Sequence, residues 1–228
     1  MPNPVQWSNY NVAFMKLLPN MINTIIVVVA ATAGSAVLAS MSGYVFARLT
    51  FPGKQLLYFL VLSLLMIPSV LTLTPLYTLV QDLGMKNTWW VLIIPWMAGS
   101  QAMGVLLCQT FIQSQPSSLF ESARIDGASE FGCYLRIAVP LAKPILATMV
   151  IMNMNGFYND YIWPLITIDS TSKQVISVAV KVLAGSGSTI QIGNQVAGYV
   201  IATVPLLILF LAGSRLYIEG LTAGAIKA

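Results

Sequence analysis

The sequence predicts an all-α protein, a polytopic bundle of membrane helices. Three observations predict it. The 228-residue chain is 57% hydrophobic and only 8% charged, whereas a soluble domain is about 25% charged. Its mean hydropathy is +0.80. Its apolar residues gather into five runs of roughly 20 residues, the length that crosses a bilayer as a helix. So apolar a chain has too few polar side chains to cover a water-facing surface.

The first span is expected at 20–46, "NMINTIIVVVAATAGSAVLASMSGYVF". It carries Ala31, Ser35, Ala39 and Gly43 at spacing four, a stripe of small residues that lets another helix approach closely; an ordinary Ala-rich span would look the same. The second, third, fourth and fifth spans are expected at 56–80, 89–112, 144–163 and 196–217. Pro68, Pro75, Pro95 and Pro205 fall within them. Proline removes a backbone donor and bends a helix, and Pro68 and Pro75 mark either static bends or gating points. Residues 1–19 read as an extracytoplasmic segment, and 20–228 as the transmembrane domain.

Orientation follows from the basic residues. Arg48, Lys54, Arg124, Arg136, Lys143, Arg215 and Lys227 fall on one side. Lys16, Lys86, Lys173 and Lys181 fall on the other. The first side is therefore cytoplasmic. Trp89, Trp90, Tyr161 and Trp163 then lie near the outer interface, where amphipathic rings settle.

Several function classes are disfavoured. With no histidine, the chain has no His-based triad and no His metal site. It has no G-x-x-x-x-G-K-[ST] loop for ATP. No catalytic residue or metal set is visible, and no basic cluster suggests nucleic acid. Cys108 and Cys133 read as small apolar fillers.

Charge is concentrated in one place. The run "ESARIDGASEFGCYLRIAVP", 121–140, holds Glu121, Arg124, Asp126, Glu130 and Arg136. It lies within a cytoplasmic loop at about 113–143. Ser118-x-x-Glu121 matches a capping box, predicting a short helix that starts there. Asp126-Gly127 predicts its stop and a turn. Ser129 is placed to cap a second short helix carrying Phe131, Tyr134, Leu135 and Ala138. Two short helices joined at a glycine form a knob, a protein-docking element with apolar residues and a charged rim.

The spacing Glu121-Ser122-Ala123, Gly127, Ile137, Val139-Pro140 resembles the "EAA…G…I-LP" loop of permease subunits in binding-protein-dependent ABC importers, in the carbohydrate branch of maltose-transporter type. "FARLTFPGKQLLYFLVL", "MIPSVLTLTPLYTLVQDLGMKNT", "GFYNDYIWPL" and "GLTAGAIKA" resemble the same branch. The resemblance implies the type I ABC importer permease fold, with the knob as a coupling helix-turn-helix in a cleft of the ATPase subunit. It implies ATPase docking by Glu121, Ser122, Ala123, Arg124, Asp126, Gly127, Ile137, Val139 and Pro140. It also implies a second homologous permease, an ABC ATPase dimer binding ATP and Mg²⁺, and an extracytoplasmic substrate-binding protein. The setting would be membrane lipid, in a bacterial or archaeal inner membrane. The departures are Ser122 for Ala, Val139 for Leu, and Tyr158 where the family usually has Trp. The family also has one more span before the region resembling "WSNYNVAFM"; this chain starts after that place, through truncation or by nature.

Asn153, Asn155, Tyr158, Asn159 and Asp160 are the candidate substrate path. Asp160 could meet sugar hydroxyls or act as a structural cap, and the asparagines could bond a neighbouring helix or line a polar route. The outer loop, about 166–195, includes "AGSGST" and is either a docking surface for the binding protein or a floppy connection. The rival reading is a stand-alone secondary transporter or channel. That class uses several buried acids as ion sites, and only Asp160 qualifies.

Overall fold

The computed structural model describes residues 6–185 and 192–225; the end of the Gly-Ser tip, at 186–191, and Lys227 lie outside the described residues. Regular structure among the described residues is helical throughout. In chain order the helices are α1 (Ser8–Arg48), α2 (Lys54–Ser63), α3 (Ser69–Asp82), α4 (Trp90–Gly99), α5 (Gln101–Gln113), α6 (Ser117–Ile125), α7 (Glu130–Cys133), α8 (Val139–Leu141), α9 (Lys143–Asn159), α10 (Ile162–Thr167), α11 (Ile176–Gly185) and α12 (Ile192–Ala225). Two are long and apolar enough to cross a bilayer alone, and the number reaches five when each bent pair counts as one span.

The expected spans differ from these helices in their ends and breaks. α1 starts at Ser8, with Pro19 inside it. The second span is broken: after a 3₁₀ turn at Leu64–Met66 the chain bends by 101° into α3. Ile67 is extended, at φ −85° and ψ 115°, because Pro68 disfavours the helical region for the residue before it. Pro75, Pro95 and Pro205 sit inside α3, α4 and α12. The third span instead bends by 44° between Gly99 and Gln101. The fourth ends at Asn159, and a short break precedes α10.

The chain divides into two compact units. One comprises Thr32–Thr72, Trp96–Asn153 and Gly213–Ala228. Its core seam joins α1 to α5. Ser35, Ala39 and Gly43 are buried, and they face Ser100, Gly104 and Cys108, also at spacing four. Ser100 Oγ donates to Ser35 Oγ at 2.9 Å. A β-carbon on Gly104 would stand 2.7 Å from Ala39 Cβ. One on Gly43 would stand 2.5 Å from Cys108 Cβ and 2.9 Å from the Gln109 backbone nitrogen. The small stripe read from the sequence is thus a helix contact, and α5 supplies its matching stripe. Cys108 and Cys133 are free and fully buried, as fillers should be.

The other unit comprises Met1–Ala31, Leu73–Pro95 and Met154–Ala212. Here side chains of α1 hold irregular backbone. Asn23 Nδ2 donates to Ser172 O at 2.8 Å and Gln174 O at 3.1 Å. Asn20 Nδ2 donates to Gln174 O at 2.9 Å, and Thr24 Oγ1 accepts from Ile176 N at 2.8 Å. Asn87 tolerates a left-handed φ of 57°, as asparagine can, and its Oδ1 accepts from Ser170 N at 3.0 Å. Trp163 Nε1 donates to Val91 O at 2.8 Å. The first part of the outer loop is therefore pinned rather than floppy, and α11 follows with Val178 and Val180 buried.

The seam gives a test. Gly43→Val forces a branched side chain against the α5 backbone, and overpacking of this kind costs about 1–3 kcal/mol. Gly156→Ala meets nothing within 4 Å and serves as the control. Thermal unfolding of the purified protein in detergent should show a clearly lower midpoint for Gly43→Val and little change for Gly156→Ala. Equal midpoints would remove the seam's importance.

Candidate functional site

The knob is built from α6, the turn after it, and α7. α6 ends in a Schellman motif: Ala128 N donates to Ala123 O at 2.9 Å and Gly127 N to Arg124 O at 3.0 Å. That geometry needs a left-handed residue at the end of the helix, and Gly127 supplies it at φ 83°. Ser129 then caps α7, its Oγ accepting from Gly132 N at 3.1 Å. The turn and the second cap are therefore as the sequence predicts.

The first cap is different. α6 begins at Ser117 behind Pro116, and no side chain caps it. Ser118 is already inside the helix, so its backbone does not have the extended shape an N-cap needs. Its carbonyl accepts from Ser122 Oγ at 2.8 Å. The capping box is not formed, and Glu121 is exposed in mid-helix.

Phe120, Cys133, Tyr134 and Ala138 turn inward and join the core cluster with Cys108 and Ile112; Ala123, Ile137 and Val139 pack against it. Glu121, Ser122, Arg124, Asp126 and Gly127 remain exposed, as does Pro140 in the first turn of α8. Large apolar side chains share the knob surface: Ile125 is 86% exposed and Phe131 60%. Between α7 and α8 the chain makes a π-helical turn at Tyr134–Ala138. It then bends by 76° into α9. Such π turns are rare and concentrate at functional sites.

Three residues that sequence reasoning passed over hold the knob to α1. Ser40, Tyr44 and Arg48 recur at spacing four. Ser40 Oγ and Tyr134 Oη are 2.8 Å apart. Tyr44 Oη donates to Glu130 Oε2 at 2.8 Å. Arg48 Nη2 donates to Ile112 O and Gln115 O, both at 2.6 Å. The guanidinium also lies 4.1 Å from the Phe120 ring centroid. A cation is favoured at the carboxyl end of a helix, and here it closes α5 just before the knob. The available signal was the polar stripe itself, one residue out of step with the small stripe. Glu130 also pairs with Arg124, Nε to Oε1 at 2.7 Å, and this hydrogen bond holds Arg124 above its usual pKa.

The candidate path residues do not share one face. Asn155 and Asn159 are exposed, and Asn159 Nδ2 donates to Asn155 O at 2.8 Å and Oδ1 at 3.1 Å. Tyr158 is buried, donating from Oη to Ala202 O at 2.7 Å. It lines an apolar cavity of about 550 Å³ with Ile25, Val28, Met154, Pro205 and Leu209. Asp160 Oδ1 accepts from Trp163 N at 3.3 Å, and its carbonyl accepts from Ser177 Oγ at 2.7 Å. Asn153 is partly buried on α9, in the same unit as the knob. Among the described residues no group of His, Cys, Asp or Glu is placed to hold a metal.

Residues 39–218 match the family model described as "Binding-protein-dependent transport system inner membrane component". The chain belongs to this family. The trehalose transport system permease protein SugB of Mycobacterium tuberculosis is 31% identical over 230 aligned residues, covering 100% of this chain and 84% of that protein. The arabinooligosaccharides transport system permease protein AraQ of Halalkalibacterium halodurans is 34% identical over 194 residues, covering 85% and 68%. A crystal structure of a bacterial ABC transporter that imports alginate matches with a TM-score of 0.82 and 20% identity, covering 94% of this chain and 81% of that one. That structure supports the permease fold. The family match spans the knob and all of α9, so this inner-membrane component is a transport permease held in the membrane by its apolar helices.

Arg48→Met keeps much of the bulk over Phe120 but takes the guanidinium donor from the Gln115 carbonyl and one of two donors from the Ile112 carbonyl, which still accepts from Gln115 N at 3.2 Å. Unpaired buried polar groups cost about 1–3 kcal/mol each. Hydrogen exchange by mass spectrometry should show faster exchange across residues 112–120, with α11 unchanged. Unchanged protection would mean that Arg48 does not secure the base of the knob.

Proposed function

We propose that the chain is one of two homologous permease subunits of an ATP-driven importer for a sugar or oligosaccharide. It forms half of the path through a bacterial or archaeal inner membrane, crossing it several times. An ATPase dimer holds ATP and Mg²⁺ on the cytoplasmic side, and an extracytoplasmic binding protein delivers the substrate. The observation that carries this reading is the knob. It exposes Glu121, Ser122 and Arg124 beside Ile125 and Phe131, on a base fixed by a helix cap, a glycine turn and three hydrogen-bonded residues of α1. Docking elements combine apolar centres with charged rims. In this reading closure of the ATPases on ATP displaces the knob, and the bundle follows.

Similarity to permeases for trehalose and arabinooligosaccharides supports a carbohydrate substrate. The exposed amides of Asn155 and Asn159 are suited to sugar hydroxyls, since an amide both donates and accepts. Asn153, Tyr158 and Asp160 belong to the same stretch, with Tyr158 and Asp160 shaping the route by holding its backbone in place.

Gly127→Val tests the knob. The left-handed conformation costs a side-chain-bearing residue about 1–2 kcal/mol, and a β-branched residue is among the least tolerant of it. The spans do not depend on this turn, so the amount in the membrane should be normal. Copurification of the ATPase in mild detergent should fall sharply, and transport with it. Glu121→Ala removes one charge and keeps the knob's shape, so its loss should be smaller. Wild-type ATPase retention and transport by Gly127→Val would refute the docking role. A channel or secondary transporter would bring no ATPase with it at all.

A further inference from the structure

The Glu130 carboxylate is where three segments meet. Arg124 reaches it from α6, through Nε to Oε1 at 2.7 Å and Nη2 to Oε2 at 3.2 Å. Tyr44 reaches it from α1, at 2.8 Å. Glu130 itself opens α7. Tyr44 is 3% exposed while the Glu130 side chain is 45% exposed, so this hydrogen bond links a buried hydroxyl to the surface of the knob. Its ring is fixed on both sides, 6.2 Å from Phe120 and 5.6 Å from Tyr134 between centroids.

The covalent connections of the knob are poorly suited to carry force. On one side the chain leaves helix geometry between α5 and α6. On the other lie the π turn and the 76° bend before α9. Bends absorb displacement. Within the knob-bearing unit α1 continues unbroken and without proline to Arg48, so a push delivered near its end is passed along that stretch of helix. We propose that Tyr44 is a positioning residue for coupling: its hydrogen bond to Glu130 makes the end of α1 move together with the knob. The proposal rests on the docking role argued above. In it, Glu130 serves as a bridge between the docking surface and α1 rather than as part of the docking surface.

The test uses the complete complex with its ATPase and partner permease, and it needs no knowledge of the substrate. Spin labels are placed at Met41→Cys on α1 and Leu119→Cys on α6 of the knob, both more than 40% exposed. Cys108 and Cys133 are fully buried and stay unlabelled. Electron paramagnetic resonance reads the distance between the labels without nucleotide and after ATP–vanadate trapping. In the otherwise wild-type protein the distance should be the same in both states. Tyr44→Phe keeps the ring contacts and loses the donor, so trapping should produce a second, longer distance. Glu130→Leu should do the same, and the double variant should be no worse than either. Glu130→Gln keeps an acceptor for Tyr44 Oη and should behave as wild type.

A single unchanged distance in Tyr44→Phe overturns the tether, as does a distance that shifts on trapping in the wild-type protein. If Tyr44→Phe does not assemble, the contrast between Glu130→Leu and Glu130→Gln decides, and identical behaviour overturns the tether. A wild-type chain that copurifies with no ATPase overturns the docking reading instead, and the tether with it.

Discussion

Close approach of α1 and α5 is the contact from which the knob-bearing unit is built. Lipid tails are as apolar as leucine, so no hydrophobic force draws two membrane helices together. What remains is van der Waals packing, and that requires the backbones to come close. Ser35, Ala39 and Gly43 on one helix and Ser100, Gly104 and Cys108 on the other allow it. The seam also sets register. With Gly43 against Cys108, Arg48 arrives five residues later beside the Ile112 carbonyl of α5 and the Gln115 carbonyl just past it, and the knob begins where that helix is closed.

α1 uses two adjacent faces for two tasks. Successive residues are about 100° apart around a helix with 3.6 residues per turn. Ser40, Tyr44 and Arg48 each follow a seam position by one or five residues, so they form a polar stripe beside the small one. The small stripe fixes where α1 lies against α5. The polar stripe then reaches Tyr134, Glu130 and the end of α5. Moving the seam by one residue would put Tyr44 against α5 and leave Glu130 without its second partner. Packing and polar bonding are therefore set by one register.

The fold class, the number of apolar runs and the knob were legible because each has a local signature. Hydropathy over twenty residues reports a span, Gly127 after Asp126 reports a left-handed turn, and Ser129 ahead of Phe131, Tyr134, Leu135 and Ala138 reports a cap. The small stripe of α1 was legible for the same reason, but its partner on α5 was hidden by bulky neighbours such as Leu106 and Leu107. Helix ends were less readable. A capping box depends on where the preceding proline lets the helix start, and Pro116 starts it one residue before Ser118. The break at Ser100 has no proline, while Pro75 and Pro95 break nothing. Tyr44 and Arg48 were unreadable as knob residues because their partners lie 64 to 86 positions away in sequence.

The stretch from Met154 to Asp160 separates two kinds of work on one helix end. Asn155 and Asn159 share an exposed face and bond each other, which holds two amides at a fixed spacing. Tyr158 points the other way, into apolar surroundings, and spends its hydroxyl on the Ala202 carbonyl of α12. Asp160 spends one oxygen on the amide of Trp163, whose indole in turn bonds Val91 O. The break after α9 is thus held by side-chain hydrogen bonds on both sides. On α9 the buried tyrosine and Asp160 thus fix the backbone that carries the exposed asparagines.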